Sequence, residues 1–263
     1  MKITFLGTAG AIPTATRTNT SLWIDSEIFS VMIDCSGDIY HKIKKYDLNP
    51  NKLEHVIITH EHIDHSFGLP SLLETLRLSG REKELHIHIQ EKAFDKIKQI
   101  LSLNNLLNRH DGFPVIFHSI PMLKNYSLLN DGKLKIHTTP VKHLVPTVAV
   151  SITDEFDSIT YSSDTEPVQD VVELARKSAV LIHESTTARC CMEPVKGHTS
   201  ADDAARIAKE AGVDQLFLVH ILEKVQNNKE AVLHEAEEHF SGKVIIPDDG
   251  YTFDIKDVKI RKV

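Results

Sequence analysis

The pattern of apolar and polar positions predicts an alternation of strands and helices along the whole chain. Short apolar runs bounded by Gly, Pro, Ser and Asp are typical of strands. Such runs predict strands at ITFL, SLWID, FSVMID, HVIIT, LHIHI, KLKIHTTPVKH, TVAVSI, SITYSSD, AVLIHE and QLFLVH, and a closing pair in KVIIPDDGYTFDI. Apolar residues three and four apart are typical of amphipathic helices. This spacing predicts helices at YHKIKKYDL, LPSLLETLRLSG, EKAFDKIKQILSLNNLL, VQDVVELARKS, SADDAARIAKEAG and NKEAVLHEAEEHF.

The order of these elements predicts the architecture. Each half of the chain runs through strands and then helices, which favours an α/β fold of two β-sheets packed face to face with helices outside. The chain has 263 residues, without a long linker or a low-complexity segment. We therefore expect residues 1–263 to form one domain with four layers.

Composition narrows the class of protein. Hydrophobic residues make up 41% and charged residues 25%, as in a globular protein, and no apolar run reaches the roughly 20 residues that span a bilayer. The N-terminus lacks a signal-peptide core, so we expect no membrane partner. Three cysteines without a CxxC pair indicate a reducing, cytoplasmic location. A net charge of −7 gives no sign of the broad basic surface that nucleic-acid binding usually needs.

One segment directly after the predicted strand HVIIT concentrates side chains that bind metals. The sequence HEHIDH contains His60, His62, Asp64 and His65. In a loop at the end of a strand, residues 60 and 62 can point the same way, while 64 and 65 reach a second point as a helix begins. Imidazole nitrogens and carboxylate oxygens are ordinary ligands of Zn²⁺ and similar ions. The segment therefore predicts a metal site.

Three more candidate ligands, His143, Asp164 and His220, each end a predicted strand. Any one of them alone is better explained as a turn or cap residue. Their occurrence together with residues 60–65 favours a shared metal site. Other polar residues receive simpler assignments: Arg17 is expected to face solvent, and His86 and His88 to lie on the polar face of a strand.

These residues and their surroundings resemble the metallo-β-lactamase fold superfamily, and most closely its ribonuclease Z-like branch. The resemblance extends from Lys2 to about His220. It includes FLGTAGAIPTATRTNTS, FSVMIDCSG, the HxHxDH segment, LIHESTT and GHTSADDAARIAKEAGVDQLFLVH. It implies an α/β fold, the four-layer αββα sandwich of the metallo-β-lactamase type.

The resemblance also implies a centre with two divalent metal ions. One metal would be held by His60, His62 and His143, the other by Asp64, His65 and His220, and Asp164 would bridge them. We expect Zn²⁺, with Mn²⁺ or Fe as alternatives, because ligand type alone does not fix the metal. Two such cations can share a hydroxide and neutralise a phosphoryl transition state. Asp64 would orient that hydroxide or take its proton.

Two further residues are candidates for proton transfer. The resemblance implies that His198, in GHTS, is a general acid, and that Glu184, in IHEST, orients it or stabilises its charge. Such a pair suits the protonation of a leaving alkoxide. From the residues alone, a turn histidine at 198 and a structural hydrogen bond at 184 are the alternatives.

The segment between His143 and Asp164 differs from the family pattern. Full-length ribonuclease Z of bacterial relatives carries a long basic, Gly-rich arm here, whereas this chain has 20 residues without Lys or Arg. We therefore expect a metal-dependent phosphodiesterase that acts on small cyclic or single-stranded phosphodiesters. The alternatives are a ribonuclease Z-type endonuclease acting on the 3′ end of transfer-RNA precursors, and an esterase, lactonase or sulfatase. The expected partner is a small phosphodiester or RNA, and a homodimer is left open.

Overall fold

The computed structural model describes residues 1–26, 28–107 and 110–259. Strands occupy β1 (Lys2–Gly7), β2 (Ser21–Asp25), β3 (Ser30–Ile33), β4 (Leu53–Ile58), β5 (Leu85–Gln90), β6 (Val115–Ile120), β7 (Tyr126–Asn130), β8 (Lys135–Val141), β9 (Thr147–Thr153), β10 (Ser158–Tyr161), β11 (Val180–Glu184), β12 (Gln215–Val219), β13 (Lys243–Ile245) and β14 (Thr252–Asp254). These strands include every strand that the sequence pattern predicts, with ends that differ by a few residues.

The helices of the described residues are mostly short. They are α1 (Ile39–Lys45), α2 (Ile63–Ser66), α3 (Leu69–Leu78), α4 (Phe94–Leu103), α5 (Gln169–Ala175), α6 (Ala201–Ala211), α7 (Glu223–Asn227), α8 (Lys229–Glu237) and α9 (Lys256–Lys259). A 3₁₀ turn, Pro50–Lys52, leads into β4. Across the described ranges, no helix combines the length and apolar character that crossing a bilayer requires.

The strands form two sheets of seven. The order is β14-β1-β2-β3-β4-β5-β6 in the first sheet and β13-β12-β11-β10-β9-β8-β7 in the second. In each sheet an antiparallel part continues into a parallel part, which begins at the β3–β4 pair in the first sheet and at the β10–β11 pair in the second. The parallel strands place their carboxyl ends at one edge of each sheet.

Three apolar clusters explain why the elements stack as four layers. Strand β4 is buried on both faces, so its side chains alternate between two cores: Ile57 joins the central core between the sheets, and Val56 and Ile58 join the core under the outer helices. A third cluster packs α5, α6 and α8 on the second sheet. The four-layer αββα sandwich predicted from the sequence is therefore confirmed.

Some elements differ from the sequence prediction. Strands β6 and β7 were not predicted, because both are largely half-exposed and carry polar residues within short apolar runs. Helix α4 covers only the middle of the predicted EKAFDKIKQILSLNNLL. Neither difference moves the strand ends that carry the candidate ligands.

Four histidines form a stacked cluster on β4, β5 and β6, which we call the histidine ladder. Its members are His55, His86, His88 and His118. Nδ1 of His55 lies 3.0 Å from Nε2 of His88, and Nδ1 of His86 lies 2.9 Å from Nε2 of His118. The predicted polar face is therefore wrong for His88, which is only 4% exposed. Ile87 packs in the core under the outer helices. Because side chains alternate along a strand, the neighbouring His88 points the other way, towards the second sheet.

Candidate metal centre

All seven predicted ligands lie at the carboxyl ends of strands, where the two sheets meet at one edge. The segment after β4 supplies His60, His62, Asp64 and His65, the segment after β8 supplies His143, the segment after β10 supplies Asp164, and the residue after β12 is His220. The start of α2 at Ile63 separates the first pair from the second, as expected from the sequence. Both sheets therefore contribute to one site.

One group of ligand atoms is formed by three imidazoles and a carboxylate. The ligand atoms of His60, His62, His143 and Asp164 all lie within 4.8 Å of one another. Nε2 of His60 and Nε2 of His143 lie 3.1 and 3.2 Å from Nδ1 of His62. Their lone pairs repel one another at such distances unless a cation or a proton lies between them.

A second group lies beside the first. Oδ2 of Asp64 is 3.3 Å from Nε2 of His65 and 3.4 Å from Nε2 of His220. Oδ2 of Asp164 is 3.5 Å from Nε2 of His65 and 3.2 Å from Nε2 of His220. It is also 3.8 Å from Nε2 of His143, in the first group. Asp164 therefore lies between the two groups.

Hydrogen bonds outside the centre fix the orientation of the rings. Nδ1–H of His65 donates to Asp34 at 2.7 Å, and Nδ1–H of His143 donates to the Gly197 carbonyl at 2.7 Å. Nδ1 of His220 lies 2.9 Å from the Thr186 hydroxyl. Each of these contacts directs Nε2 inwards, which is the usual arrangement around a metal-binding histidine.

Burial and charge set the protonation of the centre. Burial, and then the neighbouring His65, hold the pKa of His60 well below its ordinary value, and burial also lowers the pKa of His62 and His143. These imidazoles are therefore neutral, as metal binding requires. Burial opposes ionisation of Asp164, but His220 and His65 outweigh it and hold the pKa of this carboxyl low.

The residues fit divalent cations. Nε2 of His65 and Oδ1 of Asp164 are buried and have no hydrogen-bond partner within the described ranges, and Nε2 of His65 faces the carboxylates of Asp64 and Asp164. Buried polar atoms are rarely left in this state without an ion or a ligand. Nitrogen and carboxylate oxygen donors together suit borderline divalent metals.

The predicted proton-transfer pair lies at the rim of the same centre. Nδ1–H of His198 donates to Oε1 of Glu184 at 2.9 Å, and the His198 ring stacks on His220 with centroids 5.4 Å apart. Burial lowers the pKa of His198, but the Glu184 carboxylate outweighs it and raises that pKa above its ordinary value. Glu184 is fully buried and accepts from the backbone N–H of Thr165 and Thr186.

Sequence reasoning missed two residues that position the centre. Asp34 is buried and accepts hydrogen bonds from the backbone N–H and hydroxyl of Thr59, both at 2.9 Å, as well as from His65. The Thr186 hydroxyl contacts Glu184, His198 and His220. The signal for Asp34 was its place at the end of FSVMID, which matches the strand-end places of the ligands.

Tight backbone turns bring these side chains together. Asp34, Ser163 and His220 follow strands and have φ values of 59°, 53° and 58°, which are uncommon for residues other than glycine. The loop after β1 passes close to His220. A Cβ on Gly10 would lie 3.1 Å from the His220 carbonyl oxygen and 3.2 Å from its ring, so any larger residue would push His220 by a few tenths of an ångström.

Comparisons with known proteins agree with this geometry. Residues 30–221 match the β-lactamase superfamily domain. A ribonuclease Z of Methanococcus maripaludis is 31% identical over 279 aligned residues, covering 86% of this chain and 90% of the relative. The metallo-β-lactamase fold protein YhfI from Bacillus subtilis is 25% identical with a TM-score of 0.80, covering 96% of this chain and 98% of that one. The short form of human tRNase Z is 24% identical with a TM-score of 0.81, covering 97% and 99%. The chain therefore belongs to the β-lactamase superfamily and, within it, to the ribonuclease Z-like branch of metal-dependent hydrolases.

Proposed function

We propose that the protein is a two-metal phosphodiesterase that cleaves RNA in the manner of ribonuclease Z. The observation that carries this proposal is the 31% identity, over 86% of the chain, to a protein named ribonuclease Z. Small phosphodiesters, which the sequence analysis placed first, become the second candidate, because the names of the relatives favour RNA. The complete set of seven converging donors supports the chemistry common to both.

We assign the ligands by the two groups of atoms. His60, His62 and His143 would hold one metal, Asp64, His65 and His220 the other, and Asp164 would contact both. We propose Zn²⁺, because imidazole-rich sites with carboxylates suit it. When bound, two such cations lower the pKa of water and stabilise the charge of a phosphoryl transition state.

The chain's own groups then have distinct roles. The Asp64 carboxylate faces the centre, and His220 and His65 keep its pKa low although burial opposes this. It is therefore ionised and can accept a hydrogen bond from a water molecule and orient it. His198 holds a proton at Nε2 and donates it to the leaving oxygen, while the buried Glu184 fixes the ring through Nδ1 and favours the charged form.

A specific observation favours the second candidate. Where the family's basic arm would be, β9 and β10 are joined by a short turn that contains Asp154, Glu155 and Asp157 and no Lys or Arg. This turn lies at the amino end of β10, the end opposite Asp164, and it offers no cation to an RNA backbone, so this segment gives RNA no advantage over a small ester. Under this candidate the same residues would hydrolyse small cyclic or aryl phosphodiesters.

A comparison of two substrates tests the proposal. One zinc-loaded preparation is given a transfer-RNA precursor with a 3′ trailer and, separately, bis(p-nitrophenyl) phosphate. We expect a single cut at the 3′ end of the mature RNA. His198→Gln should lower kcat on RNA by about 10²- to 10⁴-fold, because an alkoxide must be protonated as it leaves. The loss on the aryl ester should be smaller, because p-nitrophenolate is a stable anion.

The control is His234→Gln on α8, since this residue is highly exposed. It should leave both activities unchanged. Hydrolysis of the aryl ester without any cut in the precursor would replace our proposal with the second candidate. An equal loss on both substrates in His198→Gln would contradict its role as proton donor.

A further inference from the structure

A polar groove lies on the outer face of the second sheet, away from the metal centre. It has a volume of about 560 Å³ and is lined by β8 and β9, by the loop before β7 and by the end of α5. Inward-facing residues such as Ile136 and Val150 belong to the central core. Their neighbours Lys135, His137 and Ser151 therefore face outwards, because side chains alternate along a strand.

The charge of this groove is opposite to that of the whole chain. Four cations line it, Lys124, Lys135, Arg176 and Lys177. They face two carboxylates, and one of these, Asp170, is paired with Lys124 at 2.6 Å. Lys135, Arg176 and Lys177 are exposed at the rim. A local positive groove on a protein with a formal net charge of −7 indicates an anionic partner.

The other lining groups favour phosphate. Thr139, Ser151, Thr153 and Asn125 place hydroxyl and amide groups in the groove between the cations. Arg, Lys, Ser, Thr and Asn side chains supply most of the contacts that proteins make to nucleic-acid phosphates and sugars.

The position of the groove relative to the metal centre matches an extended substrate. Strand β8 runs from Lys135 at the groove to Val141, and His143 follows two residues later. At about 3.3 Å per residue, the groove begins roughly 13 Å from His143, at Thr139, and extends to roughly 26 Å, at Lys135. A polyanion cleaved at the centre can therefore reach it.

We propose that this groove binds the phosphate backbone of the RNA substrate and takes the place of the missing basic arm. This proposal rests on the proposed RNA cleavage and adds the surface that holds the body of the substrate. It also explains how an acidic chain without an arm can bind RNA. The small phosphodiesters of the second candidate would not extend into the groove.

Charge reversal on two separate elements tests the proposal. Binding of mature transfer RNA, which offers the same backbone without a scissile trailer, is measured over a salt series for Arg176→Glu/Lys177→Glu and for Lys135→Glu. We expect the double variant to lower the affinity at least tenfold and the slope of log K against log salt by about 2. Lys135→Glu should lower the slope by about 1. Turnover of bis(p-nitrophenyl) phosphate should be unchanged in both.

The matched control is Lys209→Glu/Lys243→Glu, which changes the net charge equally at exposed positions on α6 and β13. An effect of the control as large as that of the groove variants would overturn the groove and leave only a general charge effect. Absence of RNA binding by the wild type would also overturn it. Groove-dependent binding without any cleavage of a precursor would support the groove and contradict the proposed function, so the two failures are distinguishable.

Discussion

At the scale of single residues, the surroundings of His65 fix the orientation and charge of a proposed metal ligand. His65 is fully buried and would prefer to be neutral, yet Asp164 and Asp34 outweigh burial and raise its pKa well above the ordinary value. The Asp34 carboxylate accepts from Nδ1–H and fixes the tautomer that turns Nε2 towards Asp64. We therefore propose that Asp34, which lies outside the centre, controls the orientation of one proposed ligand.

The substitution Asp34→Asn tests this role. Asparagine has nearly the same shape and tolerates the positive φ of this position, but it cannot supply a charged acceptor to His65. We expect metal affinity to fall by about 10- to 100-fold, measured by competition with a chromophoric chelator, because outer partners of ligands have effects of this size. The circular dichroism spectrum should be unchanged.

Asp25→Asn provides the control, because Asp25 ends β2 and is hydrogen-bonded to Ser30, away from the centre. It should leave metal affinity unchanged. If Asp34→Asn bound metal as tightly as the wild type, the orientation of His65 would have to come from packing alone.

At the scale of elements, the sequence predicted which side chains converge, because residue type and strand position coincide. His60, His143, Asp164 and His220 each follow an apolar run, and runs of this kind are read from the sequence directly. Arg17 shows what the sequence could not supply. It was expected to face solvent, but it is 3% exposed and bonds Thr8, the Pro247 carbonyl and Asp248. Pro247 and Asp248 are 230 and 231 residues away along the chain, so these contacts leave no local pattern.

The histidine ladder is a second element-scale feature that local pattern did not predict correctly. Burial, and then the neighbouring His86, lower the pKa of His55 to about 4. Burial, and then His55, lower the pKa of His88 to about 2. In the unfolded chain both would titrate near 6.5, so the unfolded state binds more protons as the pH falls. The ladder therefore stabilises the fold less and less as the pH falls from about 6.5 towards 4.

The double variant His55→Gln/His88→Gln removes this titration. Between pH 7 and pH 5 the wild type should lose about 1 to 3 kcal/mol more free energy of unfolding than the variant, as measured by urea denaturation. His41→Gln on α1 is the control, because His41 is exposed and lies outside the ladder. If the wild type and the double variant showed equal pH dependence, His55 and His88 would have to titrate alike in the folded and unfolded states, which would contradict the lowered pKa values.

At the scale of the whole molecule, the centre joins the two sheets. The first sheet supplies four of the proposed ligands and the second supplies three. We propose that residues 1–263 unfold as one domain, because separation of the sheets would expose the central core and pull the ligands apart. Bound metal then stabilises the native state by mass action.

Removal of metal should therefore lower the melting temperature. At free metal 100-fold above Kd, one site contributes about 2.7 kcal/mol, which corresponds to roughly 5–10 °C for a chain of this size. Calorimetry with and without chelator measures the shift, and elemental analysis of the untreated protein should give close to two metals per chain. His62→Ala, which removes a half-exposed proposed ligand, should show a smaller shift. Less than half an equivalent of metal after reconstitution would contradict the binuclear assignment.

At Asp34, Ser163 and His220, which have positive φ angles, stability and activity favour different residues. Each left-handed turn strains a residue that has a side chain, by of order 1 kcal/mol or more, and glycine would relieve that strain. Yet glycine at Asp34 or His220 would delete a group that the centre needs. Glycine substitutions that raise thermal stability at Asp34 or His220 would thus lower activity. Ser163 is the exception, since among the described residues its hydroxyl bonds Thr59 and no proposed ligand, so a lineage under thermal selection can change it before the others.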